Sequence, residues 1–243
     1  MPRWSPKAAS DDLGLAERMI DSIASHTMAM DFMLPRTGRL TPLGKAILKI
    51  DPYLTGQQTP WIVHYNLSAD PYHLVWHRMA NEVITSNCCI SLQDAKGFFT
   101  DLQTSHSVYS ATKHLVKELS VFLRAYSEGS LSRLSYLEPR DDTFAAPSTL
   151  RVPPVVFGYS LLTFAARYRP GETAIPVSDI AAATSSPGRI FLMREPDVRA
   201  HLERMHRNDV VSIENKGHLD QVRFVNPPDP ADYLLAHFED TED

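Results

Sequence analysis

The residues whose types and spacing could do chemistry are His64, His73, His77, Cys88 and Cys89. His73 and His77 stand four apart on a predicted helix, which puts two imidazoles on one face, the spacing of zinc-binding helices. A hydrolytic zinc helix also needs a glutamate directly after the first histidine, and Leu74 occupies that place. The histidines are interleaved with Trp61, Tyr65, Tyr72 and Trp76, which reads as an aromatic packing layer. All five are therefore expected to be structural, with no metal and no cofactor. His201 and His206 are five apart, on different helix faces, and make a poor ligand pair. Ser186-Pro-Gly-Arg189 is too short for a phosphate-binding loop and lacks its lysine. Gly-x-Ser-x-Gly, Gly-x-Gly-x-x-Gly and Cys-x-x-Cys do not occur. The expectation is a protein with no catalytic residues and no small-molecule substrate, and so not an enzyme.

The second chemical group is cationic. Arg189, Arg194, Arg199, Arg204, Arg207, Lys216 and Arg223 cluster in the C-terminal third. With Val198, Leu202 and Met205 facing a core, Arg199 and Arg207 point away from it and Arg204 is lateral. Such side chains reach phosphates or guanine edges. Glu195, Asp197 and Glu203 share the same helix and dilute its charge. The face therefore reads either as a DNA contact or as a protein-docking surface.

The elements that position these cations follow from local signals. Pro153-Pro154 opens an apolar helix from Val155 to about Arg167, and a short helix is expected within 175–184, capped near Ser178. A turn at 185–191 leads to a helix from about Pro196 to His206. Val210–Ile213 and Gln221–Val225 alternate like two strands, joined at Asn215-Lys-Gly-His218 with Lys216 at the tip. Helix, helix, turn, helix and hairpin make a winged helix-turn-helix over 153–225.

Further upstream, Asp11 or Asp12 caps a predicted helix to about Met33. Leu34–Leu40 reads as a strand or turn. Thr41 caps and Pro42 opens a helix bearing the stripe Leu43, Ile47 and Ile50, ended by Asp51-Pro52. That order makes a truncated winged-helix-like element. Thr59-Pro60 repeats the cap, Asp70-Pro71 starts another helix, and Ser91 caps one carrying Phe98, Phe99 and Leu102. Ser107 or Ser110 precedes a long helix with Leu115, Leu119, Phe122, Leu123 and Tyr126 inward.

The fold class is thus mainly α: a helical bundle with winged helix-turn-helix elements, the C-terminal one the more complete. The expected divisions are a disordered 1–11, a helical domain over 12–126, a linker or ordered long loop over 127–152, the winged helix over 153–225, and an acidic tail over 226–243. Hydrophobic content of 43% and charged content of 22% are those of a globular protein. No apolar run spans a membrane, residues 1–7 do not resemble a signal peptide, and adjacent cysteines make no disulfide framework, so a cytoplasmic setting is expected. The net charge is −5, and six acids with no Lys or Arg lie between Asn226 and Asp243, so the body is near neutral. That balance permits a local DNA-binding face without predicting strong non-specific binding.

Leu40-Thr-Pro-Leu-Gly-Lys45, Asp51-Pro-Tyr-Leu54, Trp61-Ile-Val-His-Tyr-Asn-Leu67, Leu123-Arg-Ala-Tyr126, Pro153-Pro-Val-Val-Phe157 and Ser186-Pro-Gly-Arg-Ile-Phe191 occur in this order over most of the chain. In these blocks the chain resembles the bacterial proteins grouped as domain of unknown function 4007 (DUF4007). The resemblance implies winged-helix, DNA-binding components encoded beside phage-defence genes, notably those for DNA phosphorothioate modification. It carries over no catalytic residue. Relatives carry more sequence before the helix matching Leu13–Met33, so the N-terminal element here is the shortened one. The function expected is a non-enzymatic, DNA-associated component of a defence or DNA-modification system that positions partner proteins on duplex DNA. The alternatives are a scaffold of that system without DNA binding, or a transcriptional regulator of the defence operon.

Overall fold

The computed structural model describes residues 5–35, 37–101, 108–215 and 219–238, with the backbone alone over 108–113. The chain is mostly helical, with two small sheets. The start of the chain departs from the expected disorder over 1–11. Residues 1–4 lie outside the described residues, but Ser5 caps a helix, α1 (Pro6–Leu13), with Pro6 in the first turn, where its missing N–H costs nothing. The single helix expected up to Met33 is two, α1 and α2 (Glu17–Ala29). Gly14 takes a left-handed φ of 65° and closes α1 onto the Ser10 carbonyl, so Asp11 and Asp12 lie inside α1 and cap nothing.

Met33 and Leu40 form one antiparallel bridge, and Thr41 then caps α3 (Pro42–Ile50) as its type dictates. The Thr41 hydroxyl accepts from the Gly44 amide at 2.9 Å and donates to the Asp31 carbonyl at 2.6 Å. Gly44 leaves no room for a Cβ against the Phe32 carbonyl, so α3 sits directly on the bridge. The start of α4 (Thr59–Ala69) differs from expectation. Pro60 is in the first turn, but Thr59 caps nothing; its hydroxyl donates to the buried Asp51 carboxylate at 2.5 Å. A buried charge outcompetes a helix terminus for that donor, because leaving it unsatisfied costs more.

Helix α4 is buried along its whole length. Around it run α5 (Leu74–Arg78), a π-helical turn (Met79–Val83), β1 (Cys89–Ser91) and α6 (Leu92–Gly97), the last opened by a reciprocal Ser91–Asp94 capping box. Leu102 and Ser107 lie outside the described residues. The long helix α7 (Val108–Ser127) buries Leu115, Leu119, Phe122, Leu123 and Tyr126, as their spacing predicts.

Residues 127–152 form a packed segment. Leu131, Leu134, Tyr136, Leu137, Ala146 and Val152 are buried, and a 3-10 turn (Ser132–Leu134) precedes β2 (Glu138–Arg140) and β3 (Thr143–Ala145). With β1 these strands make an antiparallel sheet in the order β1-β3-β2.

The C-terminal part is α8 (Pro154–Tyr168), β4 (Ala174–Pro176), α9 (Val177–Ala182), α10 (Pro187–Ile190), α11 (Glu195–Arg207), β5 (Ser212–Glu214), β6 (Gln221–Arg223) and α12 (Pro230–His237). Pro176, and not Ser178, stands at the start of α9. Strand β4, absent from the sequence reading, pairs antiparallel with β6, giving the order β4-β6-β5. Within the segment read as an acidic tail, Asp229 caps α12, which packs against α8 and α3 and buries Ala231, Tyr233 and Leu234.

The apolar core is one cluster running from Phe32 to Leu234, so no boundary at 126 or 153 separates two cores. His64 sits at its centre. Its Nδ1 lies 2.6 Å from the Tyr126 hydroxyl and its Nε2 3.3 Å from the Ile190 carbonyl. A carbonyl only accepts, so Nε2 carries the proton and Nδ1 accepts from Tyr126. One imidazole thereby ties α4 to α7 and to α10.

Candidate nucleic-acid interface

The C-terminal unit is positioned by the turn that precedes its longest helix. Ser185 donates through its amide to Asn81 Oδ1 at 2.8 Å and through its hydroxyl to the Ala69 carbonyl at 2.8 Å, and its own carbonyl accepts from Tyr65. Phe191 stacks edge-on against Trp61 at 5.7 Å. The blocks Trp61–Leu67 and Ser186–Phe191 therefore face each other in the interior. Gly188 lies so close to the Ala181 backbone that a Cβ would collide, which holds α10 against α9. Their sequence pattern serves this joint, and Arg189 belongs to it: its Nε donates to the Asn81 carbonyl at 2.8 Å. The π-helical turn is what brings Asn81 there.

From this anchor α11 presents one face to the core through Val198, Leu202 and Met205, as its spacing predicts, and the other to solvent. The arginines on the solvent side divide into two sets. Arg194 pairs with Asp197 at 3.0 Å. Arg199 is held between Glu195, at 2.6 Å, and Asp220. Its guanidinium is held charged first by the hydrogen bond to Asp220 and then by that to Glu195, and Arg199 in turn lowers the Asp220 pKa. Arg223 donates to both oxygens of Glu214, at 2.5 and 3.1 Å. Arg204 and Arg207, exposed and three apart on α11, form no ion pair among the described residues. Lys216 lies outside the described residues.

The structure thus brings Arg194, Arg199, Arg204, Arg207 and Arg223 into one unit, with three of the five already matched by carboxylates. Exposed pairs of this kind contribute little stability. Their consequence is that a phosphate must compete for Arg194, Arg199 and Arg223 and not for Arg204 or Arg207. Sequence reading missed Asp220 and Glu214 as the partners. The signal for Glu214 is strand register: it pairs with Gln221, which puts it diagonal to Arg223 on the same hairpin face.

The histidines and cysteines lie apart from this face. His64 is fully buried among Tyr126, Tyr136 and Phe191, and burial pushes its pKa down to about 4 against the opposing effect of the Ile190 carbonyl. His77 lies 3.0 Å from the Ser68 carbonyl, and His73 immediately precedes α5. His201 stacks on Phe157, its pKa lowered to about 4 by burial and then by Arg204. Cys88 is half-buried and Cys89 exposed, both free thiols. Among the described residues, no three of His, Cys, Asp and Glu gather where they could hold a metal ion, and no helix is long and apolar enough to cross a membrane.

A family model described as "Protein of unknown function (DUF4007)" matches residues 3–238. No curated protein matches the sequence. Two solved structures share the fold. One, described as "Magnesium ion-bound SspB crystal structure", aligns with a TM-score of 0.74 and 17% identity over 95% of this chain and 78% of that one. The other, "SspB crystal structure", aligns with a TM-score of 0.74 and 18% identity over 96% and 78%. At such identity the likeness is one of fold.

Proposed function

We propose, from the premise that this chain belongs to the DUF4007 family, that it is a non-enzymatic, DNA-associated component of a bacterial anti-phage defence or DNA-modification system that positions partner proteins on duplex DNA. The unit from α8 to β6 reads as a winged helix, with α9 and α11 as the helix pair and β5–β6 as the wing braced by β4. The observation that carries the reading is the pair Arg204 and Arg207 on the outer face of α11, exposed and without a carboxylate partner among the described residues. Two such cations on one helix face make phosphate contacts that hold a protein on DNA without selecting its sequence. The defence setting, and with it the interest of phosphorothioated DNA, rests on the family resemblance. A cytoplasmic location follows from the same reading.

A second reading, a protein-docking scaffold of the same system, is favoured by the pairing of Arg194, Arg199 and Arg223, which leaves the face only mildly basic. Gel shifts with plain and phosphorothioated duplexes over a salt series separate the two. Replacing Arg204 and Arg207 with alanine is expected to weaken binding on every sequence and to flatten the salt dependence by about 0.9 per lost contact. Duplex affinity unchanged in that double variant, or absent in the parent protein, refutes the DNA reading and leaves the scaffold.

A further inference from the structure

We infer that the outer face of α3 and the loop that follows it, carrying Lys45, Lys49 and Tyr53, bind single-stranded DNA, the lysines on phosphates and the Tyr53 ring on an unpaired base. The inference rests on the DNA-associated reading above and adds to it a second surface and a strand form.

Helix α3 turns Leu43, Gly44, Ala46 and Ile47 inward, which leaves Lys45, Leu48 and Lys49 on the solvent side. Neither lysine, nor Arg39 just before the cap, forms an ion pair among the described residues. This is unlike the arginines at 194, 199 and 223. The one acid between Leu34 and Gln58 is Asp51, and it is buried. Its carboxylate accepts from the Thr55 amide at 2.9 Å, the Gly56 amide at 3.0 Å and the Thr59 hydroxyl at 2.5 Å. The only negative charge between Leu34 and Gln58 is thereby turned inward, and the exposed charges of α3 and its loop are Lys45 and Lys49.

The same carboxylate makes the loop rigid. Leu54 donates back to the Asp51 carbonyl at 3.0 Å, and the Arg133 guanidinium clamps the Thr55 carbonyl at 3.0 Å. A Cβ on Gly56 would stand 2.9 Å from Asp51 Oδ2, so the loop closes tightly on its own brace. Leu54 sits at φ 55°, a region that branched side chains rarely occupy and that persists only where the surroundings over-determine it. The product of this bracing is a tyrosine that is 85% exposed beside a leucine that is 46% exposed. A ring carried into water on a stiff loop is preorganised to meet a partner, since little backbone freedom is left to lose on contact.

The charge selects a polyanion, and the ring selects the strand form. Bases in a duplex have both faces covered by their neighbours, so an aromatic side chain gains a stacking contact only on an unpaired base. Cations beside an exposed aromatic ring are the two parts that sequence-tolerant single-strand binding uses.

The test is fluorescence anisotropy of the full chain with a labelled single-stranded oligonucleotide and with its duplex, over a salt series. Because the altered side chains are exposed, unchanged melting temperatures establish that the variants fold. Tyr53→Ala is expected to weaken single-strand binding about 5- to 100-fold, Tyr53→Phe to retain it, and both to leave duplex affinity unchanged. Lys45→Gln with Lys49→Gln should flatten the single-strand salt dependence by about 0.7 per lost contact. Single-strand affinity unaffected by these substitutions, or absent while the duplex still binds through Arg204 and Arg207, overturns this inference alone and marks the face as protein-docking. Binding of neither form overturns both this inference and the DNA-associated function.

Discussion

At the scale of single residues, His64 decides how this protein responds to acid. It is buried on all sides, accepts from Tyr126 and donates to the Ile190 carbonyl, so only its neutral form fits. Its pKa of about 4 in the folded chain lies below the ordinary 6.5 that it regains on unfolding. Between those values the unfolded chain binds the proton and the folded one does not. Stability is therefore full above about pH 6.5 and falls as the pH drops toward 4. From pH 7 to pH 5 the loss from His64 comes to about 2 kcal/mol, and His201, its pKa also lowered to about 4, declines over the same window. Urea denaturation at the two pH values measures it, and His64→Gln, less stable at pH 7, should show a shallower pH dependence than the parent. An equally steep decline in that variant would place the acid sensitivity elsewhere.

At the scale of elements, the docking of α12 on α8 rests on a missing side chain. Gly158 lies inside α8, where glycine costs about 1 kcal/mol relative to alanine, so Gly158→Ala would stabilise an isolated helix. In the protein a Cβ there collides with the Tyr233 ring. Overpacking costs about 1–3 kcal/mol and outweighs the propensity gain, so the substitution should lower the melting temperature. Adding Tyr233→Ala to Gly158→Ala should then cost less than Tyr233→Ala does in the parent, because the collision is already relieved. A raised melting temperature in Gly158→Ala, with additive behaviour in the double variant, would contradict the packing of α12.

At the scale of the whole molecule, the continuous core predicts that the protein unfolds as one cooperative unit. Trp61 and Tyr65 on α4 reach Phe191 and Ser185 across more than a hundred residues of chain, and His64 spans the same divide. Calorimetry should show a single unfolding transition with equal calorimetric and van't Hoff enthalpies. A fragment covering 153–225 should remain unfolded, since it exposes Phe191 and Ile190 where α4 would cover them. Two resolved transitions, or a folded fragment, would restore the division into separate domains that composition suggests.

What the sequence determined by itself is the caps and inward faces of several helices. Thr41 with Pro42, Ser91 with Asp94, and the stripe Leu115, Leu119, Phe122 each act through hydrogen bonds or spacings of a few residues, so they are legible one window at a time. Where a local signal failed, a distant group had taken its donor or its surface. The Thr59 hydroxyl went to Asp51, and the polar run 127–152 packed through seven scattered apolar side chains. The candidate interface shows the same limit. The positions of Arg199 and Arg204 on one helix can be read from spacing. That Arg199 is spent on Asp220, while Arg204 is not, depends on how a hairpin 21 residues downstream folds back onto that helix. Charge pairing is a property of distance in space, and only the tertiary fold sets that distance.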